Sequence, residues 1–163
     1  MIETGYLVRF LDRWPDTEDT GLQYTAAELA YALLYRLPIT RGSAGNFVEN
    51  FKTIDVRDIP YPKDLRRPPP LLVPTRPAPA AHFFVAAWVR PEPREVHFAG
   101  WASLSELREA AIKPGGPCKV ECHAIPFKAL HPMSTLQYAI WSVTLVGGQP
   151  VREEKRRGKV RKA

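Results

Sequence analysis

The sequence predicts an α/β or α+β fold, with a mixed central sheet flanked by helices. Three features carry that expectation. The segment His82–Arg90 (HFFVAAWVR) is apolar at consecutive positions, as a strand covered on both faces must be. Glu95–Trp101 (EVHFAGW) follows it across a Pro91–Arg94 turn, so the two read as a hairpin. Two boxes of the form Ser/Thr-x-x-Glu, Thr25–Glu28 and Ser103–Glu106, mark helix starts where a hydroxyl and a carboxylate satisfy orphan amides of the first turn.

The remaining elements follow in order. Gly5–Trp14 is apolar-rich and reads as a first strand or a short helix, ended by Trp14-Pro15-Asp16. The helix opened by Thr25 keeps Leu29, Ala32, Leu33 and Arg36 at helical spacing, and Pro38 ends it by about Leu37. Arg41–Asn46 (RGSAGN) is a flexible loop. Phe47–Ile59 reads as extended chain. From Phe51 it alternates, with Phe51, Thr53, Asp55, Arg57 and Ile59 on one face and Lys52, Ile54, Val56 and Asp58 on the other. Ile54 and Val56 belong in a core, so Asp55 and Arg57 project together from the opposite face.

Residues 58–81 form a Pro-rich excursion. Its eight prolines between Pro60 and Ala81 exclude regular helix or central strand over most of it and favour a polyproline-like path. The second capped helix reaches about Ile112, where Lys113-Pro114-Gly115-Gly116-Pro117 stops it. Cys118–Ile125 reads as a short strand, Ala129–Met133 as a loop, and Ser134 as the start of a short helix. Tyr138–Val146 is compatible with strand or helix, and the chain shows no internal repeat.

The 163 residues, 45% hydrophobic and 25% charged, fit one domain over 1–151 followed by a basic tail over 152–163. No apolar run approaches the roughly 20 residues that span a bilayer. The first residues also lack the layout of a signal peptide, so the expectation is a cytoplasmic protein with no membrane partner. Two cysteines, Cys118 and Cys122, are too few for a disulfide framework. The formal net charge is +6, and the tail holds seven basic residues against two acids, so all but one of those net charges sit there. Arms of this kind contact phosphates and release counterions, which points to nucleic acid. Between the two nucleic acids, DNA is the expected partner ahead of RNA, although tail charge does not distinguish them.

The constellation with chemical potential is Asp55-Val56-Arg57. A carboxylate and a cation two residues apart on a strand leave from one face. The acid can hold a divalent metal while the cation stabilises charge on a phosphate. Glu49 falls on the same side if the extended stretch is unbroken, and Glu28 in the preceding helix can supply a further oxygen. The same residues also fit a surface ion pair and a helix cap. Cys118, Cys122, His123 and His131 are metal-ligand types, but their spacing departs from structural zinc pairs, and buried cysteine is the commoner fate. His82 and His97 fall at strand positions. Trp14, Trp88, Trp101 and Trp141 can stack on bases, although core anchoring is their commoner role. The chain carries no Gly-rich phosphate cradle and no Ser/His/Asp order.

The order of an acid on a helix, an acid before a strand, an acid-x-cation strand, a hairpin and a helix resembles the PD-(D/E)XK, or restriction-endonuclease-like, nucleases. Ile54–Arg57, Phe83–Val89, Phe98–Trp101 and Ala129–Leu136 are similar to small phage and bacterial proteins of that type, and the resemblance covers about residues 24–136. It implies a restriction-endonuclease-like fold and metal-dependent phosphodiester hydrolysis with Mg²⁺ or Mn²⁺. Asp55 matches the second acid of the motif, Arg57 its lysine and Glu28 the helix acid. Glu49 is the best match to the first Asp, with Asn46 the alternative, so Asp55 and Glu49 are the implied metal ligands. Arginine cannot act as a general base but can stabilise a transition state.

Two functions follow as expectations. One is a metal-dependent nuclease using Asp55, Arg57, Glu49 and Glu28. The other is a non-catalytic nucleic-acid-binding or assembly protein that keeps the nuclease fold. Arg66, Arg67 and Arg76 of the Pro-rich excursion, with Arg152, Lys155, Arg156, Arg157, Lys159, Arg161 and Lys162 of the tail, are the residues expected to grip the phosphate backbone; in the second reading the tail can instead bind an acidic protein partner.

Overall fold

The computed structural model describes residues 6–10, 25–38, 46–116 and 119–141. Strands β1 (Tyr6–Arg9), β2 (Asn46–Glu49), β3 (Lys52–Pro60), β5 (Phe83–Arg90) and β6 (Glu95–Ser103) form a sheet in the order β1-β6-β5-β3-β2. Within it β3 and β5 run parallel, and the other neighbours are antiparallel, so the sheet is mixed. A second, antiparallel sheet joins β4 (Leu71–Pro74), β8 (Val120–Ile125) and β7 (Ala111–Gly115) in the order β4-β8-β7. Helix α1 spans Ala26–Tyr35, helix α2 spans Leu104–Glu109, and a further helical segment covers 136–141.

The continuous apolar run of β5 lies at the centre of the larger sheet and is buried from Phe83 to Trp88. Its alternate side chains feed two cores. Phe83, Val85 and Ala87 join Ile54, Val56 and Phe98 beneath α1, with Met133, Leu136 and Ile140 closing the same layer. Phe84, Ala86 and Trp88 face the smaller sheet and α2, packing with Leu71, Val73, Leu107 and Ile125. Burial of each large apolar side chain, such as the fully enclosed Phe84 and Phe98, stabilises the fold by roughly 1.5–3 kcal/mol. The second face is therefore covered mainly by a sheet, and a flank of helices on both faces is not what forms.

Both capping boxes close as the sequence predicts. The Thr25 hydroxyl accepts from the Glu28 amide at 3.2 Å, and the Glu28 carboxylate accepts from the Thr25 amide at 3.2 Å. Ser103 and Glu106 repeat the arrangement at 3.3 and 2.8 Å. Helix α1 ends at Arg36 in the left-handed region (φ 54°), two residues before Pro38. Helix α2 is shorter than its sequence suggests. It stops at Glu109, and Ile112, Lys113 and Pro114 belong to β7. The Pro-rich excursion also carries regular structure: Pro60 ends β3, and β4 interrupts the proline run. β4 is an edge strand, where a missing proline N–H leaves no ladder bond unmade.

Two local irregularities set the geometry of β6. Ala86 pairs with Gly100 and Ala87 with Phe98, so Ala99 is an extra residue that shifts the alternation. The shift puts Trp101 in the same core layer as Phe98. Gly100 follows at φ 155°, where a Cβ would lie 2.7 Å from the His131 carbonyl oxygen and 2.8 Å from Leu130 Cβ. Only glycine fits there.

Candidate functional site

Asp55 and Arg57 leave one face of β3, as their spacing predicts. Arg57 Nη2 donates to Asp55 Oδ2 at 2.8 Å and Nε donates to the same oxygen at 3.1 Å. The Asp55 side chain is 16% exposed and that of Arg57 38%. Burial pushes the Asp55 carboxyl above the usual carboxylate range, and the Arg57 guanidinium only partly offsets it. Their face is that of the second core, because Asp55 is in register with Phe84 and Arg57 with Ala86 of β5.

Glu49 is elsewhere. Asn50 and Phe51 both take positive φ (49° and 61°), the backbone of a two-residue hairpin, so β2 turns back antiparallel on β3. The extended stretch is therefore broken. Glu49 pairs with Lys52 and Phe47 with Ile54, which sets Glu49 on the α1 face of the sheet. There it is 8% exposed and accepts from Tyr31 Oη at 2.6 Å and from Gln137 Nε2 at 2.8 Å. Burial, followed by the charge of Glu49, pushes the Tyr31 hydroxyl far above the ordinary tyrosine range, so it stays protonated as a donor. The sheet thus separates Glu49 from Asp55. Glu28 is 6% exposed at the start of α1, and its carboxylate is engaged in the capping box. Among the described residues no three His, Cys, Asp or Glu side chains come together as a metal site.

A further acid belongs to the Glu28 end of α1. Asp58, on the Ile54–Val56 face of β3, accepts from the Thr25 hydroxyl at 2.7 Å and from the Ala27 amide. Burial raises its carboxyl, and those two hydrogen bonds work against the rise. It caps the helix from a strand, where an acid favours the positive end of the dipole. No local signal announces this, because the partners lie 33 residues apart.

Glu95 is a second acid that sequence spacing does not single out. It is 4% exposed on β6 and accepts from Arg9 Nε at 2.8 Å and from His97 Nε2 at 3.0 Å. Hydrogen bonds from Arg9 and His97 hold its carboxyl below the usual range. His97 also lies edge-on to Tyr61, with ring centres 5.0 Å apart. This cluster fastens β1 to the sheet.

The remaining candidates divide between display and structure. Asp64 accepts from the Arg66 amide through Oδ1 at 2.9 Å and from the Arg67 amide through its carbonyl at 3.0 Å. That turn displays Arg66 and Arg67, and Arg76 is likewise exposed. Of the four Cys and His residues, Cys118 lies outside the described residues, Cys122 is buried, His123 Nδ1 is buried without a hydrogen-bond partner among the described residues, and His131 is bonded to Glu106 at 2.5 Å. His82 accepts from the Thr53 amide at 3.0 Å. Trp88 and Trp101 are core residues, Trp141 is 52% exposed, and Trp14 lies outside the described residues. So do the tail residues Arg152, Lys155, Arg156, Arg157, Lys159, Arg161 and Lys162. No helix among the described residues is long and apolar enough to cross a membrane.

No protein-family model matches this chain, and no curated protein or solved structure matches it.

Proposed function

We propose that this chain is a nucleic-acid-binding protein that holds its ligand without hydrolysing it. The observation that carries the reading is the division of the candidate acids. Asp55 is ion-paired to Arg57 on one face, while Glu49 is consumed by Tyr31 and Gln137 on the other. A metal-assisted hydrolase needs converging oxygen ligands to hold a cation against a phosphate. Binding needs only cations, and these are present in Arg66, Arg67 and Arg76 and in the tail over 152–163. We read the larger sheet as a divergent restriction-endonuclease-like core. What supports this is a capped helix, then a hairpin whose second strand carries the acid-x-cation pair and runs parallel to the next long strand.

One observation favours a catalytic alternative with Mg²⁺ or Mn²⁺. The residue directly across from Asp55 in the β2–β3 register is Asn46, a residue type with a neutral oxygen donor. In that reading Asp55 holds the metal, and Arg57 stabilises charge on the phosphate.

Incubating the full chain with single- and double-stranded DNA and RNA, in Mg²⁺, Mn²⁺ or EDTA, separates the two. Salt-sensitive binding with intact oligonucleotides in every condition, unchanged by Asp55→Ala, supports binding alone. Metal-dependent cleavage abolished by Asp55→Ala overturns it in favour of the nuclease.

A further inference from the structure

A cavity of about 1,120 Å³ opens between the Pro-rich segment, the end of α2, β7 and the turn over 126–129. That is slightly above the range of about 300–1,000 Å³ typical of pockets for drug-sized groups, and far too small a recess for a paired duplex. Buried Ala102, Ala124 and Ile125 give it an apolar lining. Half-buried Pro68, Pro70 and Phe127 line it as well. Phe127 is steadied by Trp88, with ring centres 5.1 Å apart.

Three cations, Arg66, Lys113 and Lys128, line the same cavity, and their side chains have no ion-pair or hydrogen-bond partner among the described residues. Two carboxylates also line it. Glu106 is already engaged by His131 and by the Ser103 amide. Glu109 remains as an acceptor. This mixture is poorly suited to a free inorganic anion, which a carboxylate repels and an apolar lining does not contact. It suits a group with a flat apolar body, exocyclic amino donors and a flanking phosphate. Bases stack on apolar and aromatic surfaces, while lysine and arginine follow the backbone.

We propose that this cavity takes up one or two unpaired nucleotides of a nucleic-acid strand, an inference that rests on the nucleic-acid-binding reading above. The phosphates lie along Arg66, Lys113 and Lys128. The base enters between the prolines and Phe127. The protein accordingly favours single strands, ends or gaps over an intact duplex.

The test uses the full chain, a fluorescein-labelled single-stranded DNA oligonucleotide and a blunt duplex of the same sequence, with anisotropy read across a salt series. The variant is Lys113→Gln combined with Lys128→Gln, both at exposed side chains. The expected result is about a tenfold or greater loss of single-strand affinity, with the salt slope reduced by about 0.7 for each phosphate contact removed. Duplex affinity should stay unchanged. If the variant keeps the single-strand affinity of the parent chain, the cavity is not the site, although nucleic-acid binding stands. If the parent chain binds neither probe at low salt, the underlying reading falls as well.

Discussion

Trp101 and His131 are locked to one another through backbone and side chain together. The Trp101 amide donates to the His131 carbonyl at 3.0 Å, and the His131 amide donates to the Trp101 carbonyl at 2.8 Å. Their rings lie 4.5 Å apart, and Trp101 Nε1 donates to Pro132 O at 3.1 Å and to Thr135 Oγ1 at 3.0 Å. The Gly-Trp strand end and the Leu-His-Pro-Met segment are therefore two halves of one joint, which ties the chain after β8 to the central sheet.

That joint sets the first prediction. Gly100→Ala brings a Cβ within 2.7 Å of the His131 carbonyl at a backbone angle hostile to side chains. It should destabilise the fold by about 2 kcal/mol or more, since strain of this kind alone costs about 1–3 kcal/mol. Urea denaturation reads it directly, and an unchanged midpoint would show that the joint is loose.

Glu49 is assigned a structural task. Glu49→Ala strands the buried Tyr31 hydroxyl, at a cost of about 1–3 kcal/mol, and removes the partner of the half-buried Gln137 amide. Glu49→Gln retains an acceptor for Tyr31 and should cost less. Neither change should alter nucleic-acid affinity once the variants are compared at equal folded fraction. A selective loss of Mn²⁺ or nucleic-acid binding would return Glu49 to the list of ligands.

Asp55 carries a signed pH prediction. Its folded carboxyl lies above the ordinary range, so the folded state binds its proton more tightly than the unfolded chain does. Stability should then fall as pH rises through the window between the ordinary aspartate value and the raised one. Asp55→Asn should flatten that slope and leave the protein at least as stable at neutral pH. If the variant is instead less stable at neutral pH by more than the loss of one exposed ion pair, about 0–1 kcal/mol, the Arg57 contact outweighs the burial.

Glu95 has the opposite sign. Its folded carboxyl lies below the usual range because Arg9 and His97 donate to it. The stability it contributes is complete above the ordinary glutamate range and is lost as pH falls through the lowered value. Glu95→Gln should therefore blunt the acid limb of the stability profile, followed by circular dichroism during acid titration. An acid limb identical to that of the parent chain would remove Glu95 from the account.

Much of the fold is legible in the sequence where the signals are local. The β5–β6 hairpin, both capping boxes and the shared face of Asp55 and Arg57 follow from periodicity and cap chemistry. What is not legible depends on geometry that residue types conceal. The two-residue turn before β3 normally asks for Asn-Gly, but here Phe51, 93% exposed, takes the left-handed position. With no glycine to mark the turn, residue types alone suggest an unbroken strand, which would put Glu49 on the Asp55 face. The bulge at Ala99 reverses the parity of β6 in the same silent way. Lys113-Pro114-Gly115 reads as a helix stop, but α2 has already ended at Glu109 and these residues belong to β7. Asp58 and Thr25 meet only through tertiary packing.

The most direct test of nucleic-acid binding without hydrolysis is one mixture read two ways. The full chain is combined with end-labelled single-stranded DNA in Mn²⁺, and anisotropy and denaturing electrophoresis are followed on the same sample. A protein that binds without hydrolysing gives a salt-dependent rise in anisotropy and a label that stays at full length. Shortened products that vanish with EDTA, or an anisotropy that never rises even at low salt, would contradict it.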